Sequence, residues 1–422
     1  MSIQVVVGGN WGDEGKGRMV DYLAQDADFV VRFQGGNNAG HTVVNDFGTF
    51  KLHLLPSGVF NPKVTSILGP GMVIDLQGLV EELEDLRSRG IDPKIRVSDR
   101  ATICFPYHRL QDGWEEDRLG DAKYGSTRRG IAPAYGDRTM KKAIQLGELL
   151  YPERLKSRLK DLVSWKKEQA IMYGTQDEVS YDETLAWAQK YGDQIKDLIC
   201  DTSALLSEGA KAGKNILFEA QLGTLRDLNF GIYPYTTSSC ALAAYAPVGG
   251  GLFGHHPDRV MAVVKAFSTC VGEGPFTTRM TDEEAHALRE VAEEYGAATG
   301  RPRTIGHFDA VATRYGVWGQ GATEVAVTKL DSLSGWPELK ICTHYEHNGT
   351  QVDRFPINAI LDECTPVYKS MPGWTEDITG VRKFDDLPET AQQYILEIER
   401  LIECDVKYVS VGPEREALIV RD

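Results

Sequence analysis

Two glycine-rich segments near the start of the chain carry side chains suited to binding anions and moving protons. The first, residues 12–17, reads Gly-Asp-Glu-Gly-Lys-Gly and follows a β-branched run that predicts a buried strand. Free backbone N–H groups and the positive end of a helix dipole make such a position an anion site, and Lys16 adds a charge. The second segment contains Gly40-His41-Thr42 and follows another predicted strand. We therefore expect both segments at one edge of a sheet.

The polar groups of these segments suggest proton transfer near a phosphate. Asp13 and His41 would bring together a carboxylate and an imidazole, a pair suited to proton transfer at neutral pH. The first segment resembles a phosphate-binding P-loop, but Gly17 stands where that motif has the hydroxyl that holds Mg²⁺. A metal ion would need another oxygen ligand, and Asp13 supplies one. The alternative is a tight strand–helix turn with solvated charges.

Three later segments add groups that recognise nucleotides and carboxylates. Residues 328–331, Thr-Lys-Leu-Asp, resemble the guanine-reading motif of GTP-binding proteins, in which the aspartate accepts hydrogen bonds from N1–H and the 2-amino group. Residues 296–303 place Arg301 and Arg303 among small residues, and guanidinium groups grip a carboxylate or phosphate through paired hydrogen bonds. Residues 126–130 combine hydroxyl and basic groups. Each segment alone is also compatible with an ordinary surface loop.

The composition is that of a globular protein with an excess of acidic side chains. The chain has 422 residues, with 46 basic and 61 acidic side chains and a net charge of −15. This balance argues against a general nucleic-acid binder. No apolar run reaches the roughly 18 residues that a membrane span needs, and the seven cysteines form no Cys-x-x-Cys. We expect a cytoplasmic protein that holds anionic ligands by local groups.

Apolar periodicity predicts an α/β fold with a mostly parallel central sheet. Strands are expected at residues 3–7, 28–33, 215–218, 259–264, 324–328, 339–343 and 406–410. Helices are expected at residues 18–24, 76–90 and 388–404. We predict a single large domain over residues 1–422, with a P-loop-like nucleotide site and a helix-rich inserted subdomain at about 146–214.

Taken together, these motifs resemble those of the adenylosuccinate synthetase family. They occur in the family's order at residues 12–17, 36–42, 51–58, 125–135, 233–239, 271–276, 299–303, 328–331, 371–374 and 412–413, over essentially the whole length. The resemblance implies a ligase that joins L-aspartate to IMP and gives adenylosuccinate, GDP and phosphate, the first committed step of AMP synthesis from IMP. It also implies a 6-phosphoryl-IMP intermediate, one Mg²⁺ per subunit and a homodimer with a shared active site.

The resemblance assigns chemical roles to four residues. Asp13 would take the N1 proton of IMP, so that O6 attacks the γ-phosphorus of GTP and the aspartate amine then displaces the phosphoryl group. His41 would donate a hydrogen bond or proton at the transferring group, and Lys16 would neutralise charge. The Asp13 carboxylate and the Gly40 carbonyl would hold Mg²⁺.

The resemblance also implies three sets of ligand contacts. The GTP set is Gly12, Asp13, Glu14, Gly15, Lys16, Gly17, Arg18, Gly40, His41, Thr42, Arg303, Lys329, Leu330, Asp331, Val411, Gly412 and Pro413. The IMP set is Asp13, Lys16, Asn38, Ala39, Gly40, His41, Thr127, Lys141, Leu222, Thr237 and Arg301, in which Lys141 would cross from the other subunit. The aspartate set is Ala297, Ala298, Thr299, Gly300, Arg301, Pro302 and Arg303.

Several positions depart from the family pattern, mainly on the IMP side. Leu222 stands where the family has a glutamine that contacts IMP, and Lys141 and Cys270 each replace an arginine. Residues 239–242, which include Cys240, replace a Ser-Asn-Thr-Thr-like run. Two alternatives to an IMP ligase therefore stay open: a paralogue that uses another 6-oxo purine nucleotide such as GMP or dGMP, and a non-catalytic GTP-binding regulator. The retained proton-transfer pair argues against the regulator.

Overall fold

The computed structural model describes residues 1–38, 40–45, 47–296 and 300–421. Four of the expected contact residues, Ala39, Ala297, Ala298 and Thr299, lie outside the described residues. The strands in the described ranges are β1 Ile3–Gly8, β2 Phe29–Arg32, β3 His41–Asn45, β4 Gly48–Leu52, β5 Thr65–Leu68, β6 Val73–Ile74, β7 Lys94–Ser98, β8 Thr102–Ile103, β9 Ile199–Cys200, β10 Ile216–Gly223, β11 Arg259–Lys265, β12 Ser268–Cys270, β13 Thr304–Gly306, β14 Phe308–Asp309, β15 Glu324–Thr328, β16 Glu338–His347, β17 Thr350–Val352, β18 Thr365–Pro372, β19 Val406–Ser410 and β20 Leu418–Val420. The α-helices there are α1 Lys16–Leu23, α2 Leu76–Ser88, α3 Pro106–Leu119, α4 Ile131–Thr139, α5 Pro152–Tyr173, α6 Tyr181–Ile195, α7 Thr202–Lys211, α8 Ala246–Gly250, α9 Asp282–Ala292, α10 Ala310–Gln320, α11 Asn358–Leu361 and α12 Glu389–Ile402.

A mostly parallel sheet forms the centre of the molecule. Within the described ranges it has ten strands in the order β20-β19-β15-β11-β1-β10-β2-β5-β7-β9. Each neighbouring pair is parallel except β19 and β20. The strands around β1 are buried along almost their whole length, as their Val- and Ile-rich sequences predict. Because β1 lies between β10 and β11, the loops that follow these strands meet at one edge.

The predicted strand at residues 339–343 exists but belongs to a different sheet, so that part of the prediction is wrong. β16 pairs antiparallel with β17 and β18 and parallel with β14 in a separate four-stranded sheet of the described chain. Buried and partly exposed positions are mixed along β16, as in a strand with one solvated face. A short apolar run fixes the strand but not its partner.

Helix α1 positions the glycine loop that precedes it. Its buried residues Met19 and Val20 pack in one cluster with Val6 of β1, Leu217 of β10 and Met261 of β11. The helix therefore lies on the face of the sheet, with its N-terminus at the carboxyl edge of β1. The backbone N–H groups of that N-terminus point towards the edge where the motifs gather.

Helices α5, α6 and α7 occupy most of the predicted helix-rich stretch. Leu159, Val163, Ala188 and Ile195 share a core cluster with Val97 of β7, which lies near the β9 end of the sheet. In the described part of the chain, no helix is both long and apolar enough to cross a membrane.

Candidate active site

The loop between β1 and α1 bends around a buried carboxylate. Glu14 Oε1 accepts hydrogen bonds from the backbone N–H groups of Asn10 at 3.1 Å and Gly12 at 2.8 Å. Its Oε2 accepts from Lys16 Nζ at 2.6 Å. Glu14 is 2% exposed and Lys16 8%. The loop is thus held by its own side chains, and the Lys16 ammonium group is fixed at the N-terminus of α1.

Asp13 has an unusual backbone conformation beside this loop. Its φ is 60°, in the left-handed region that residues with a side chain rarely adopt. Its side chain lines a cleft, and its Oδ2 lies 3.3 Å from Nε of Arg303. Sparsely populated backbone conformations cluster at functional sites, where the surrounding structure stabilises them. The Arg303 contact places a positive charge beside the carboxylate and restricts its orientation.

The cleft beside Asp13 has a volume of about 550 Å³, within the range of small-molecule sites. Its walls contain seven of the eleven residues expected to contact IMP. Those that line it are Asp13, Asn38, Gly40, Thr127, Leu222, Thr237 and Arg301. Residues far apart in sequence therefore share one cavity at the carboxyl edge of the sheet.

His41 is the first residue of β3 in the β3–β4 hairpin, and not part of an open loop as expected. Its ring lies against Gly17, where a Cβ atom would come within 2.8 Å of His41 Cδ2. Its Nε2 is 3.4 Å from Oε1 of Glu219, a carboxylate that accepts hydrogen bonds from the backbone N–H and the hydroxyl of Ser57. Gly17 is therefore the residue whose missing side chain lets the imidazole approach α1.

The His41 imidazole is neutral at pH 7 in this environment. Burial, followed by the charges of Arg32, His53 and Lys16, lowers the pKa of His41 well below its usual value. Burial also raises the pKa of the adjacent Glu219 carboxylate. A neutral imidazole can donate one N–H hydrogen bond, so the geometry suits a hydrogen-bond donor better than a general acid.

The residues expected to read guanine, residues 328–331, lie next to the glycine loop that precedes α1. The Thr328 hydroxyl donates to the backbone carbonyl of Glu14 at 2.6 Å, and the backbone N–H of Leu330 donates to Ser410 at 3.3 Å. These bonds bring the end of β15 next to the glycine loop and to residues 411–413, which follow β19. The expected guanine-reading segments are therefore neighbours.

Charged side chains surround the segment 328–331. Arg18 donates to the backbone carbonyls of Glu414 at 2.8 Å and Ala417 at 2.7 Å, and burial lowers the pKa of Arg18 to about 10. Lys329 Nζ donates to the carbonyl of Ala292 at 2.9 Å. Burial raises the pKa of Asp331, against the opposing effects of Lys329 and Arg18. The side chains needed to recognise a base edge are thus held in place.

Comparison with known proteins assigns this arrangement to a family. The sequence profile described as adenylosuccinate synthetase matches residues 5–419. The chain belongs to the adenylosuccinate synthetase family. A relative named adenylosuccinate synthetase 2, from Pseudoalteromonas translucida, is 53% identical over 419 residues and covers 99% of each chain.

Solved structures agree with this family assignment. Fully ligated adenylosuccinate synthetase from Plasmodium falciparum is 33% identical and superposes over 100% of both chains with a TM-score of 0.94. Succinoaminodeoxyadenylate synthetase of cyanophage S-2L, bound to dGMP and dATP, gives a TM-score of 0.59 at 17% identity over 99% of this chain and 95% of that one. At that identity the second likeness concerns the fold alone.

The glutamine position of the adenylosuccinate synthetase pattern is filled differently in this chain. Leu222 faces the cleft with a φ of 61° and packs on Gly12, so an apolar side chain lies there. Gln221 is buried instead. Its Oε1 accepts from the backbone N–H of Gly36 at 2.9 Å, and its Nε2 donates to Asn38 Oδ1 at 3.0 Å. Gln221 thus orients Asn38 and does not replace the missing amide.

Lys141 does not lie in the same cleft as Asp13. It is exposed, has a φ of 64° and lines a separate groove of about 500 Å³ together with Arg138 and Arg158. Within one subunit the structure therefore does not bring Lys141 to the other IMP-side residues. The family expectation, in which this position serves the other subunit, is compatible with its exposure.

Sequence reasoning missed Arg226, which lines the cleft and is 7% exposed. Its Nη2 donates to Cys270 Sγ at 2.7 Å and to the carbonyl of Val271 at 2.9 Å, and its Nη1 donates to the carbonyl of Glu273 at 3.1 Å. Arg226 therefore ties the segment after β10 to the segment after β12. The sequence did contain one signal for Arg226, which is the replacement of an arginine by Cys270. The smaller cysteine side chain leaves room for the guanidinium group of Arg226.

Proposed function

We propose that this chain ligates L-aspartate to IMP at the expense of GTP and gives adenylosuccinate, GDP and phosphate. The observation that carries the proposal is the placement of the Asp13 carboxylate in a nucleotide-sized cleft at the N-terminus of α1. Membership of the adenylosuccinate synthetase family over residues 5–419 supports the same reaction. The product is the precursor of AMP, so the reaction is the first committed step from IMP to AMP.

Asp13 acts as the general base. Its carboxylate accepts the proton from N1 of IMP, and the electron pair moves to O6, which attacks the γ-phosphorus of GTP. The O6–P bond forms while the bond from phosphorus to the GDP oxygen breaks. The neutral aspartate amine then forms a bond to C6 of 6-phosphoryl-IMP, the C6–O6 bond breaks, and the departing phosphate takes up the proton that the amine nitrogen loses. The contact with Arg303 at 3.3 Å holds the base in one orientation.

Lys16 and His41 act on the transferring phosphoryl group. Lys16 is fixed by Glu14 at 2.6 Å at the N-terminus of α1, where its charge adds to the helix dipole. Positive groups aimed at the phosphoryl oxygens stabilise the charge that develops in transfer. His41, neutral because of its burial, donates an N–H hydrogen bond to the same group.

The family uses Mg²⁺ as its metal ion. The Asp13 carboxylate and the Gly40 carbonyl line the same cleft, and both are the hard oxygen donors that Mg²⁺ prefers. These residues therefore fit the ion. They would supply the oxygen ligands that the loop lacks because Gly17 replaces the hydroxyl residue of a P-loop. When bound, the ion supplies positive charge that draws electron density from the phosphate oxygens.

Two further sets of contacts complete the proposed GTP site. The glycine loop and the start of the hairpin hold the phosphates through Gly12, Asp13, Glu14, Gly15, Lys16, Gly17, Gly40, His41 and Thr42. The guanine end is held by Arg18, Lys329, Leu330, Asp331, Val411, Gly412 and Pro413, and Arg303 lies near the nucleotide. Asp331 accepts from N1–H and the 2-amino group, which adenine cannot offer.

IMP and aspartate share the remaining cleft. IMP contacts Asp13, Lys16, Asn38, Ala39, Gly40, His41, Thr127, Leu222, Thr237 and Arg301, with Lys141 from the other subunit of a homodimer. Aspartate is held by residues 297–303, where Arg301 and Arg303 offer two guanidinium groups to two carboxylates. We propose that the enzyme works in the cytoplasm.

A substrate panel tests this function. Purified protein is given GTP, Mg²⁺ and aspartate with IMP, dIMP, GMP or dGMP in turn, and phosphate release is measured. We expect turnover with IMP and little turnover with GMP or dGMP. Activity confined to GMP or dGMP would establish the paralogue, for which the apolar Leu222 is the favouring observation. Absence of turnover with every nucleotide would support the regulator.

A further inference from the structure

A line of buried charges runs from the central sheet to the active-site cleft. Lys265, the last residue of β11, is 4% exposed, and its Nζ lies 2.7 Å from Oε2 of Glu294, which is 0% exposed. The same Glu294 oxygen pairs with Nη1 of Arg303. Arg303 in turn contacts Asp13 at 3.3 Å. Four charges of alternating sign therefore connect the sheet to the proposed base.

Glu294 is the centre of this line. Burial acts to raise the pKa of Glu294, but the neighbouring Lys265 and Arg303 charges lower it, so the carboxylate is ionised. Its other oxygen, Oε1, is buried with no hydrogen-bond partner among the described residues. A buried carboxylate in this state depends on its two cations, because burial of an unpaired charge is strongly unfavourable.

The backbone makes the same connection. The N–H of Arg303 donates to the carbonyl of Glu294 at 2.9 Å, and the N–H of Gly296 donates to Arg301 at 2.8 Å. Tyr295 and Pro302 form an isolated antiparallel bridge. Glu294 and Arg303 are therefore paired by both main chain and side chain at the base of the segment that carries Arg301.

Lys265 fixes this base to the sheet. Its Nζ also donates to the Thr269 hydroxyl at 2.8 Å, so two acceptors set the position of the ammonium group. β11 is buried along nearly its whole length and pairs with β1 and β15, which makes it a rigid support. Its hydrogen-bond partners Thr269 and Glu294 are not among the described residues that line the cleft, so its effect passes through Glu294 and Arg303.

We propose that Lys265 and Glu294 are positioning residues for the ligase reaction, which hold Arg303 against Asp13 and fix the described base of the aspartate segment at residues 295–296 and 301–303. The proposal rests on the proposed function, in which Asp13 is the base and that segment binds aspartate. A misplacement of about 1 Å can cost roughly 10²-fold in rate, so the support matters as much as the groups it holds.

Two variants remove the support without touching the cleft. Glu294→Gln keeps the shape of the side chain and removes its charge, and Lys265→Met keeps the aliphatic chain and removes the ammonium group. We expect each to raise KM for aspartate and lower kcat by about tenfold or more, because both the segment and Arg303 lose their anchor. KM for GTP should rise less than KM for aspartate, since Arg303 is one of many GTP contacts and others, such as Lys329, are held by separate partners.

Arg259→Met is the matched control. Arg259 is the first residue of the same strand, and its Nη2 pairs with Glu324 Oε2 at 2.6 Å at the opposite edge of the sheet. This variant also removes an ion pair from β11 but leaves the cleft alone. We expect its kinetic constants to match those of the parent protein.

A second readout does not depend on activity. Amide hydrogen exchange of Gly296, Gly300 and Arg303 should become about tenfold faster in Glu294→Gln and Lys265→Met and stay unchanged in Arg259→Met. Unchanged exchange together with an unchanged KM for aspartate would overturn the proposal, and so would an equal rise in KM for GTP and aspartate. A parent protein without turnover on IMP would refute the proposed function instead, and the exchange rates would still decide the positioning role.

Discussion

At the scale of single residues, the chemistry depends on the Asp13 carboxylate. Asp13→Asn keeps the shape of the side chain and removes the base, so turnover should fall by about 10²-fold or more. GTP binding should stay measurable, because Lys16 and the guanine-reading residues remain. Steady-state kinetics and calorimetric titration with GTP measure the two effects. Asp26→Asn, an exposed carboxylate after α1, is the control for the lost charge. Near-normal turnover of Asp13→Asn would show that the base is assigned wrongly.

The protonation of His41 is a second prediction at this scale. Burial holds the pKa of His41 well below its usual value, so the ring should be neutral at pH 6.5, where a free histidine is about half protonated. Unfolding then takes up a proton, and the stability that His41 contributes is lost as the pH falls below about 6.5. Imidazole NMR signals assigned with a His41→Gln variant test this, with exposed His286 as the comparison. Half-protonation of His41 near pH 6.5 would contradict it.

The sequence predicts the side chains that carry the chemistry better than the buried residues that hold them in place. Asp13, Lys16 and His41 lie in glycine-rich motifs whose spacing carries a mechanism. Arg226 and Glu294 lie in no motif, and their importance comes from partners distant in sequence. The burial of a charge is decided by which segments pack around it, and a single sequence does not reveal that.

At the scale of elements, apolar runs predicted six of the ten central strands in the described chain, namely β1, β2, β10, β11, β15 and β19. β10 extends five residues beyond its predicted end, and β5, β7, β9 and β20 were not predicted. The separate sheet around β16 and the β3–β4 hairpin that carries His41 were not predicted. Strand pairing is non-local, so a run of residues defines a strand without defining its neighbours. The division of residues 146–214 into an inserted subdomain stays a prediction. Helices α5 and α6 share their core with β7 and α2, whereas Leu206 and Ala210 of α7 pack in the cluster that contains β1 and β10.

The close approach of α1 to the hairpin gives a prediction for Gly17. In Gly17→Ala the new Cβ would come within 2.8 Å of His41 Cδ2 and 3.1 Å of Ser57 Oγ, so the imidazole must move. Turnover should fall by about tenfold or more. The free energy of unfolding should change little, because the helix preference of alanine over glycine, about 1 kcal/mol, offsets the cost of the close contact. Kinetics and denaturant unfolding measure the two quantities.

Gly113→Ala is the control for this substitution. Gly113 lies within α3, where the nearest atom to an added Cβ is Arg128 Nη1 at 3.9 Å. We expect unchanged turnover and slightly higher stability. If Gly17→Ala kept full activity, the contact between α1 and His41 would have no role in phosphoryl transfer.

At the scale of the whole molecule, a net charge of −15 has to be reconciled with three anionic substrates. Positively charged side chains close to the cleft offset the net negative charge locally. Lys16, Arg226 and Arg303 are each held by buried partners near the N-terminus of α1. Groups within about 10 Å of a ligand dominate its electrostatics at ordinary ionic strength. The net charge therefore describes the surface and not the site.

The assembly of two subunits gives a prediction for Lys141, which is exposed and lies outside the cleft of its own subunit. If it reaches the IMP phosphate of the partner, Lys141→Ala should raise KM for IMP by roughly tenfold, the value of a charge-assisted hydrogen bond. KM for GTP should not change. Exposed Lys167→Ala on α5 is the control, and sedimentation verifies that the dimer persists. An unchanged KM for IMP in the dimeric variant would exclude the role.

The central claim is that O6 of IMP attacks GTP and leaves as a phosphate oxygen. IMP labelled with ¹⁸O at position 6 tests this most directly, with GTP, Mg²⁺ and aspartate supplied and the released phosphate analysed by mass spectrometry. We predict one ¹⁸O atom in each phosphate, in step with adenylosuccinate formation. Unlabelled phosphate would mean that water attacks GTP instead, and it would contradict the mechanism.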